Sequence, residues 1–175
     1  MQCEVEEGSV GPDKGRLDGG DEYGNGQYAS FNADGTLTSW SSRSEDGGLS
    51  QGGIALVYGG YIYVLGGNAG STIELSAVYF AKINLDGSIG TWIQTSGLDQ
   101  TRQLATSLGY DGYIYVSGGA TAGSGQRKVQ FAPIMSNGSL GSWQSTSLAN
   151  SVRTYNRVTV QSGGYLYHAG GCKSG

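Results

Sequence analysis

The chain has 175 residues, a formal net charge of −4 at pH 7, 33 glycines, 12 tyrosines and only 2 prolines. A disordered chain is poor in aromatic residues, and a membrane helix needs about 20 consecutive apolar residues, so this composition excludes both classes. Positions 1–22 hold seven acidic and two basic residues, a charge of −5, and the remainder is therefore near +1. Because the remainder offers no basic stripe for a phosphate backbone, nucleic acid is excluded as a partner.

Residues 1–22 are acidic, rich in glycine and without apolar periodicity, which predicts a flexible lead-in. They lack the basic start and apolar centre of a signal peptide, so no export signal is predicted in the sequence as given. Residues 23–175 are expected to form one repetitive domain.

Two cysteines, Cys3 and Cys172, lie far apart and form no CxxC pattern. They are interpreted as two free thiols, or as a bridge within or between chains, and a bridge would require an oxidising compartment.

A repeat of about fifty residues begins near Tyr23. Three markers share this period: the indoles, the glycine pairs and the turn dipeptides that begin at positions 34, 86 and 137. The indoles are 52 and 51 residues apart, at Trp40, Trp92 and Trp143. The glycine pairs are each 52 residues apart, at Gly66 and Gly67, Gly118 and Gly119, and Gly170 and Gly171.

Each unit is predicted to be a four-stranded antiparallel meander. In the second unit, residues 102–110 alternate as a first strand, Asp111 and Gly112 form a tight turn, and residues 113–117 form a second strand. A polar loop over 120–127 leads to a third strand at 128–135, and a further turn leads to a fourth strand carrying Trp143. Residues 28–31 and 37–41 predict a preceding third and fourth strand, and the third unit holds only a first and a second strand. The predicted fold class is all-β.

The succession of a short apolar strand, a glycine pair, an aromatic residue and a tryptophan resembles the kelch repeat of β-propellers, in particular the bacterial type related to the central domain of galactose oxidase. The matching residues include Tyr79 in one unit and Phe131 in the next, with Arg102 and Arg153 at the arginine position before the first strand. The resemblance covers residues 27–171 and implies a partial β-propeller of kelch-like blades, about three blades' worth of strands.

The repeated residues are interpreted as structural. Each indole is expected to pack between blades, where its loss would cost about 3–5 kcal/mol, and sugar stacking is the alternative role. The glycine pairs are expected to supply unusual backbone angles and a close approach of neighbouring blades.

No metal site and no cofactor are predicted. The segments from Asn32 to Thr36 and from Asn84 to Ser88 resemble the start of a calcium loop but lack the carboxylate at its twelfth position, so they are interpreted as hairpin turns. His168 is the single histidine, and one histidine cannot build a two- or three-histidine site. A copper oxidase of the galactose-oxidase type, which needs several such ligands, is therefore not expected.

Binding residues are sought in the loops that differ between the repeats, because departures from a repeat can mark a site. These loops are residues 42–51, 68–76, 96–103, 120–128 and 147–154. The kelch resemblance implies that they surround a central channel, which gives six candidate ligand contacts: Arg43, Glu45, Glu74, Arg102, Arg127 and Arg153. The alternative is that these are solvated loop residues, or that Arg102 and Arg153 make hydrogen bonds between blades.

The sequence favours a non-catalytic binding module for a protein or glycan ligand, at an extracellular or bacterial surface location. An enzyme that acts on a sugar, an epimerase or lyase with channel-facing Arg and Glu residues, is the competing hypothesis, and a structural spacer in a larger surface protein is a third. No second histidine is present to act as a base, which disfavours nucleophilic catalysis.

Three blades' worth of strands do not close a ring, because propellers have four to eight blades. The favoured expectation is that further blades come from a longer chain. The alternative is a six-bladed ring of two copies, in which each N-terminal strand pair completes the last blade of the other copy.

Overall fold

The structure is a computed structural model and describes residues 25–44, 52–69, 73–146, 148–149, 152 and 154–172. Every regular element in these residues is a β-strand, which confirms the all-β fold class. The described part of the chain contains no helix with the length and hydropathy that a membrane crossing needs. The predicted lead-in over 1–22 lies outside the described residues.

Sixteen strands are described, and most are short. In chain order they are β1 (Asn25–Tyr28), β2 (Ser41–Ser44), β3 (Ile54–Tyr58), β4 (Tyr61–Leu65), β5 (Asn68–Ala69), β6 (Ile73–Glu74), β7 (Val78–Lys82), β8 (Ile93–Thr95), β9 (Thr106–Tyr110), β10 (Tyr113–Ser117), β11 (Ala120–Thr121), β12 (Ser124–Gly125), β13 (Val129–Pro133), β14 (Gln144–Ser145), β15 (Thr154–Ser162) and β16 (Tyr165–Cys172).

Two four-stranded antiparallel sheets have the same topology, as the repeat predicts. The first sheet has the order β3-β4-β7-β8, and the second has the order β9-β10-β13-β14. Two further antiparallel pairs flank them in sequence: the N-terminal pair of β1 and β2, and the C-terminal pair of β15 and β16. β9 lies beside β3 on one side and beside β15 on the other.

The strand boundaries differ from the prediction at three places. The first strand of the second unit begins at Thr106 and not at residue 102, because Leu104 adopts a positive φ of 54° that breaks the extended chain. Each fourth strand begins just after its tryptophan, with β8 at Ile93 and β14 at Gln144. In the N-terminal pair the strands were predicted at 28–31 and 37–41 but lie at Asn25–Tyr28 and Ser41–Ser44. Between these strands the chain makes one isolated bridge, from Phe31 to Leu37.

The hydrophobic core lies between the first and second sheets. Tyr63 and Leu65 on β4, with Ile114 and Val116 on β10, are fully buried. A hydrogen bond fixes the contact, since the Tyr63 hydroxyl donates to the carbonyl of Gly138 at 2.9 Å, in the turn between β13 and β14. Burial of these side chains supplies the main force that holds the two sheets together.

An aromatic stack recurs inside each four-stranded sheet. The rings of Tyr63 and Phe80 stack with centroids 6.0 Å apart, and those of Tyr115 and Phe131 stack at 5.8 Å. In both sheets the two residues are directly opposite in register, on the second and third strands. The repeat in sequence is therefore a repeat of cross-strand packing.

The three indoles differ in burial. Trp143 packs against the core, and its indole N–H donates to the carbonyl of Ser96, 2.9 Å away in the segment that follows the first sheet. Trp92 is half-buried, whereas Trp40 is 61% exposed. The expectation of packing between units thus fits Trp143 and not Trp40, because the described residues place no sheet beside the N-terminal pair to cover it.

The turns interpreted from Asp34 and Asp86 are hairpin turns. Asp34 accepts hydrogen bonds from the backbone N–H and the hydroxyl of Thr36, and these bonds lower the pKa of Asp34. Asp86 accepts the equivalent bonds from Ser88. The carboxylates are thus used to cap backbone amides, as the turn interpretation predicts.

Two substitutions of Tyr63 measure separately what its hydroxyl group and its buried ring contribute to stability. We expect Tyr63→Phe to lower the free energy of unfolding by about 1 kcal/mol, through loss of the bond to Gly138, and Tyr63→Ala to lower it by about 3–5 kcal/mol, through loss of the buried ring. Urea denaturation of both variants measures these values. Equal stability of Tyr63→Ala and the unchanged chain would show that the two sheets do not share this core.

Candidate functional site

The candidate site lies where two small hairpins meet a connecting segment. The first hairpin, β5 and β6, follows the glycine pair of the first sheet, and the second hairpin, β11 and β12, follows that of the second sheet. The connecting segment, residues 99–105, lies between β8 and β9 and leads directly into β9. The sequence predicted polar loops at both hairpin positions, and the structure shows that each loop pairs with itself.

Backbone hydrogen bonds hold the connecting segment between the hairpins. The N–H of Arg102 donates to the carbonyl of Leu75 at 2.9 Å, and the N–H of Gly67 donates to the carbonyl of Arg102 at 2.7 Å. On the other side, Gln103 and Ala120 exchange two bonds of 3.1 and 2.9 Å. The segment is therefore fixed by both sheets and can present side chains in a defined position.

The glycine pairs make this approach possible. Gly66 has a φ of +61°, and a Cβ atom at this position would lie 2.1 Å from the carbonyl oxygen of Arg102. Gly119 has a φ of +87°, with a hypothetical Cβ 2.5 Å from the carbonyl oxygen of Gln103. The predicted unusual angles are thus observed at both positions, whereas the predicted close approach of neighbouring units is observed at Gly66, and the close contact of Gly119 is within its own unit.

Glu74 is the centre of the site and receives hydrogen bonds from the connecting segment and from the second hairpin. Its Oε2 accepts from the backbone N–H of Ala122 at 2.7 Å and from the hydroxyl of Thr101 at 3.1 Å. Its Oε1 accepts from the side-chain amide of Gln103 at 3.0 Å. The carboxylate therefore bridges the first hairpin, the connecting segment and the second hairpin.

These donors stabilise the ionised form of Glu74. The bond from the Ala122 N–H, supported by those from Thr101, Gly123 and Gln103, lowers the pKa of Glu74 from its ordinary value of 4.5, although partial desolvation opposes the shift. Glu74 therefore carries a full negative charge at neutral pH. Because Ala122 adopts a φ of +47°, the turn that aims its N–H at the carboxylate holds a backbone conformation that L-residues rarely adopt.

An open pocket of about 660 Å³ lies over this carboxylate. Its amides form a chain, in which the Asn68 side-chain N–H donates to Gln103 Oε1 at 2.6 Å and Gln103 in turn donates to Glu74. Ile73, 60% exposed, adds an apolar wall. The lining consists of Asn68, Ile73, Glu74, Thr101 and Gln103, with the Ala122 and Gly123 turn at one end.

Among the candidate contacts, Arg102 is buried and joins the two sheets. Its guanidinium donates to the carbonyls of Gly118 and Lys128, both at 3.2 Å, and the side chain has no exposed surface. Burial lowers the pKa of Arg102, and the nearby charge of Asp99 opposes that shift. The guanidinium thus bonds within its own unit, and the hydrogen bonds of Arg102 to the first unit are made by its backbone, with Leu75 and Gly67.

Among the remaining candidate contacts only Arg127 has a described side chain, and it does not line the pocket. Arg127 is exposed, and its Nε donates to the carbonyl of Ala149 at 2.8 Å. The backbone of Arg43 lies on β2 opposite Gly26. Glu45 and Arg153 lie outside the described residues. Glu74 is thus the one candidate that the structure places in the pocket.

The sequence identified the right loops but missed several residues within them. Asn68, Thr101 and Gln103 lie in the variable segments 68–76 and 96–103, yet their residue types are common in any polar loop. The Ala122 N–H carries no side-chain signal at all. Only the contacts to Glu74 distinguish these groups from their neighbours.

Nothing in the described residues groups three or more His, Cys, Asp or Glu side chains as metal ligands. His168 lies on β16 opposite Thr159, within the C-terminal pair.

Comparison with known proteins supports the fold and leaves the activity open. No family model and no curated protein matches the sequence. A solved structure described as "Structure of YjhT" is similar, with a TM-score of 0.54 and 23% sequence identity over 71% of this chain. The match covers 35% of that protein, so the chain corresponds to about a third of its length. At this identity the likeness concerns the arrangement of strands.

Proposed function

We propose that this chain is a non-catalytic binding module built from kelch-like propeller blades, and that the Glu74 pocket binds an uncharged saccharide. In this proposal the first and second sheets are neighbouring blades, and the two hairpins are the channel-facing loops between their second and third strands. The repeated meander and the structural likeness support the blade assignment.

The observation that carries the proposal is the fixed carboxylate of Glu74. Three hydrogen bonds of 2.7–3.1 Å, from Ala122, Thr101 and Gln103, hold it in one orientation, two on Oε2 and one on Oε1, and the nearby N–H of Gly123 adds a weaker interaction. Since a carboxylate oxygen can accept about two hydrogen bonds, Oε1 retains capacity for a donor from a ligand. Preorganisation of this kind reduces the entropy lost on binding.

The other lining groups suit a sugar. Planar amides at Asn68 and Gln103 offer donors and acceptors for hydroxyl groups, and the exposed Ile73 offers an apolar surface for the C–H face of a ring. The charge favours a neutral ligand, because Glu74 is the one ionised side chain among the described lining residues and would repel a carboxylate.

The same lining supports binding in preference to hydrolysis. Most glycosidases use two carboxyl groups, at about 5–5.5 Å or about 6.5–9.5 Å from each other, on either side of the scissile bond. The described lining of this pocket contains a single carboxylate, and its hydrogen bonds keep it ionised and therefore unable to donate a proton at neutral pH.

Glu74→Gln tests the proposal. A glycan array selects a neutral saccharide, and isothermal titration then measures its Kd for the unchanged chain, for Glu74→Gln and for Gln103→Ala. We expect each variant to weaken binding about tenfold or more, which corresponds to loss of about 1.4 kcal/mol. Arg127→Ala, an exposed change outside the pocket, is the control and should leave the Kd unchanged.

The pH profile adds a second readout. Because the pKa of Glu74 is lowered, its contacts with the connecting segment and the second hairpin contribute stability that is present above its ordinary pKa of 4.5 and is lost as the pH falls through the lowered value. Binding should therefore persist at pH 5. Acidic sugars bound more tightly than neutral ones, or equal affinity of Glu74→Gln, would contradict the proposal.

A further inference from the structure

A second polar cluster lies beside the Glu74 pocket. This Gln100 cluster consists of Gln100 on the connecting segment, Thr121 on β11 and Gln126 just after β12. The side-chain amide of Gln100 lies 3.5 Å from the hydroxyl of Thr121 and 3.5 Å from Oε1 of Gln126. All three residues are half-buried, and the described lining of the pocket does not include them. The cluster is therefore a separate group of polar side chains that a ligand can reach.

Two stretches of backbone connect the Gln100 cluster to the pocket. On the connecting segment, Gln100 is followed by Thr101, whose hydroxyl donates to Oε2 of Glu74 at 3.1 Å. On the second hairpin, Thr121 is followed by Ala122, whose N–H donates to the same oxygen at 2.7 Å. A bond of 2.7 Å joins the two stretches, from the hydroxyl of Thr121 to the carbonyl of Thr101. Because consecutive Cα atoms are about 3.8 Å apart, the cluster and the pocket are adjacent on both stretches.

The amides of the cluster have hydrogen-bonding capacity for a ligand. A glutamine side chain has two N–H donors and a carbonyl oxygen with two lone pairs. Both contacts of Gln100 are made by its Nε2 at 3.5 Å, whereas a well-formed N–H···O bond measures about 2.7–3.2 Å. The Nε2 of Gln126 donates to the carbonyl of Ser124 at 3.2 Å. The cluster can therefore exchange two long contacts for shorter bonds to the hydroxyl groups of a ligand.

The Gln100 cluster itself is uncharged, and the charged residues nearest to it in sequence bond to other groups of the chain. Asp99 and Lys128 form an ion pair with each other. The Nε of Arg127 donates to the carbonyl of Ala149. The cluster thus offers amide and hydroxyl groups without a net charge, which suits a neutral ligand rich in hydroxyl groups. This is the class of ligand that the single carboxylate of the pocket also favours.

We propose that the Gln100 cluster is a second sugar subsite, and that the ligand is a neutral oligosaccharide whose chain crosses Thr101 from the Glu74 pocket to Gln100 and Gln126. The second subsite presupposes the saccharide binding proposed for the pocket. One sugar unit occupies the pocket, where Oε1 of Glu74 accepts a bond from a hydroxyl, and the next unit binds to the amides of the cluster. Hydrogen bonds between the connecting segment and the second hairpin fix the spacing of the two subsites before the ligand arrives. The second unit therefore adds affinity with little further ordering of the protein.

Titration with saccharides of increasing length tests the second subsite. Chemical-shift titration measures the Kd of glucose, cellobiose and cellotriose, and of the matching members of the maltose, xylan and mannan series. In the series that binds, we expect the disaccharide to have a Kd about tenfold lower than the monosaccharide, the effect of one or two added hydrogen bonds. Gln100→Ala and Gln126→Ala should each reduce this gain and leave the Kd of the monosaccharide unchanged, which also shows that the variants are folded. Gln144→Ala, the same change at an exposed position of β14, should retain the full gain.

The same titrations separate the second subsite from the pocket. Glu74→Gln should weaken the monosaccharide and the disaccharide by the same factor, because it changes the pocket alone. Equal Kd values for the monosaccharide and the disaccharide, or a gain that persists in full in both Gln100→Ala and Gln126→Ala, would overturn the second subsite and leave the pocket proposal in place. A gain that Gln100→Ala removes, with no effect of Glu74→Gln on either ligand, would support the cluster as a site and contradict the pocket proposal. Absence of binding by every saccharide tested would overturn both.

Discussion

Replacement of Arg102 with alanine is expected to lower the free energy of unfolding by about 3–5 kcal/mol, since the change opens a cavity and removes donors from buried carbonyls. The guanidinium is fully buried and bonds to the carbonyls of Gly118 and Lys128, at the start and the end of the second hairpin's loop. Its own backbone is held by Leu75 and Gly67 of the first sheet. One residue thus ties the second hairpin to the first.

Two further variants separate volume from hydrogen bonding. Arg102→Met retains much of the side-chain volume without the donors, so its loss of stability should fall between those of the unchanged chain and Arg102→Ala. Arg102→Lys retains the charge but not the planar fork, and it should also be destabilised because one ammonium cannot reproduce the guanidinium geometry. Urea denaturation with tryptophan fluorescence measures all three. An Arg102→Ala variant as stable as the unchanged chain would show that Arg102 does not join the sheets.

Gly66→Ala is expected to be the most damaging single-methyl change, with a loss of about 3 kcal/mol or more from combined backbone strain and overpacking. The added Cβ would lie 2.1 Å from the backbone oxygen of Arg102, and backbone cannot move aside as a flexible side chain can. Relief of this clash requires the connecting segment to separate from the first sheet. We therefore expect the variant to lose ligand binding as well as stability.

Gly59→Ala is a matched control for this prediction. Gly59 has a φ of +60°, almost the same as the +61° of Gly66, but it has open space around a hypothetical Cβ. Its substitution should lower the free energy of unfolding by only about 1–2 kcal/mol, the strain of an L-residue in the left-handed backbone conformation. The difference between the two variants in thermal or urea denaturation isolates the contact between units. Equal losses would mean that the close approach at Gly66 contributes nothing.

The repeat made the strand order predictable, whereas the site depended on contacts between repeats. Asp111 and Gly112, with the tyrosines around them, carry local turn and strand signals, and β10 has the predicted bounds. An arginine recurs at the position of Arg102 in the sequence repeat. The burial of Arg102, however, results from contacts with backbone groups of both units. Glu74 was identified from its place in a variable loop, while its donors at Ala122 and Gln103 are 48 and 29 residues away.

Trp40 is a repeated residue whose burial the sequence predicted wrongly. Its sequence environment matches that of Trp143, so the same packing was expected of both. The structure separates them because Trp143 has the carbonyl of Ser96 and the first sheet beside it, whereas Trp40 is 61% exposed. Burial at a repeated position depends on whether a neighbouring unit is present, and a repeat in sequence does not contain that information.

The central claim is that Glu74 and its donors form one ligand-binding surface, and nitrogen–proton correlation spectra recorded during titration with the neutral saccharide test it most directly. The account predicts that the side-chain amide signals of Gln103 and Asn68, and the backbone signals of Ala122 and Gly123, shift together with one Kd, and that in Glu74→Gln the same shifts need about tenfold or more saccharide. Binding that leaves these four signals in place and moves signals elsewhere on the chain would contradict it.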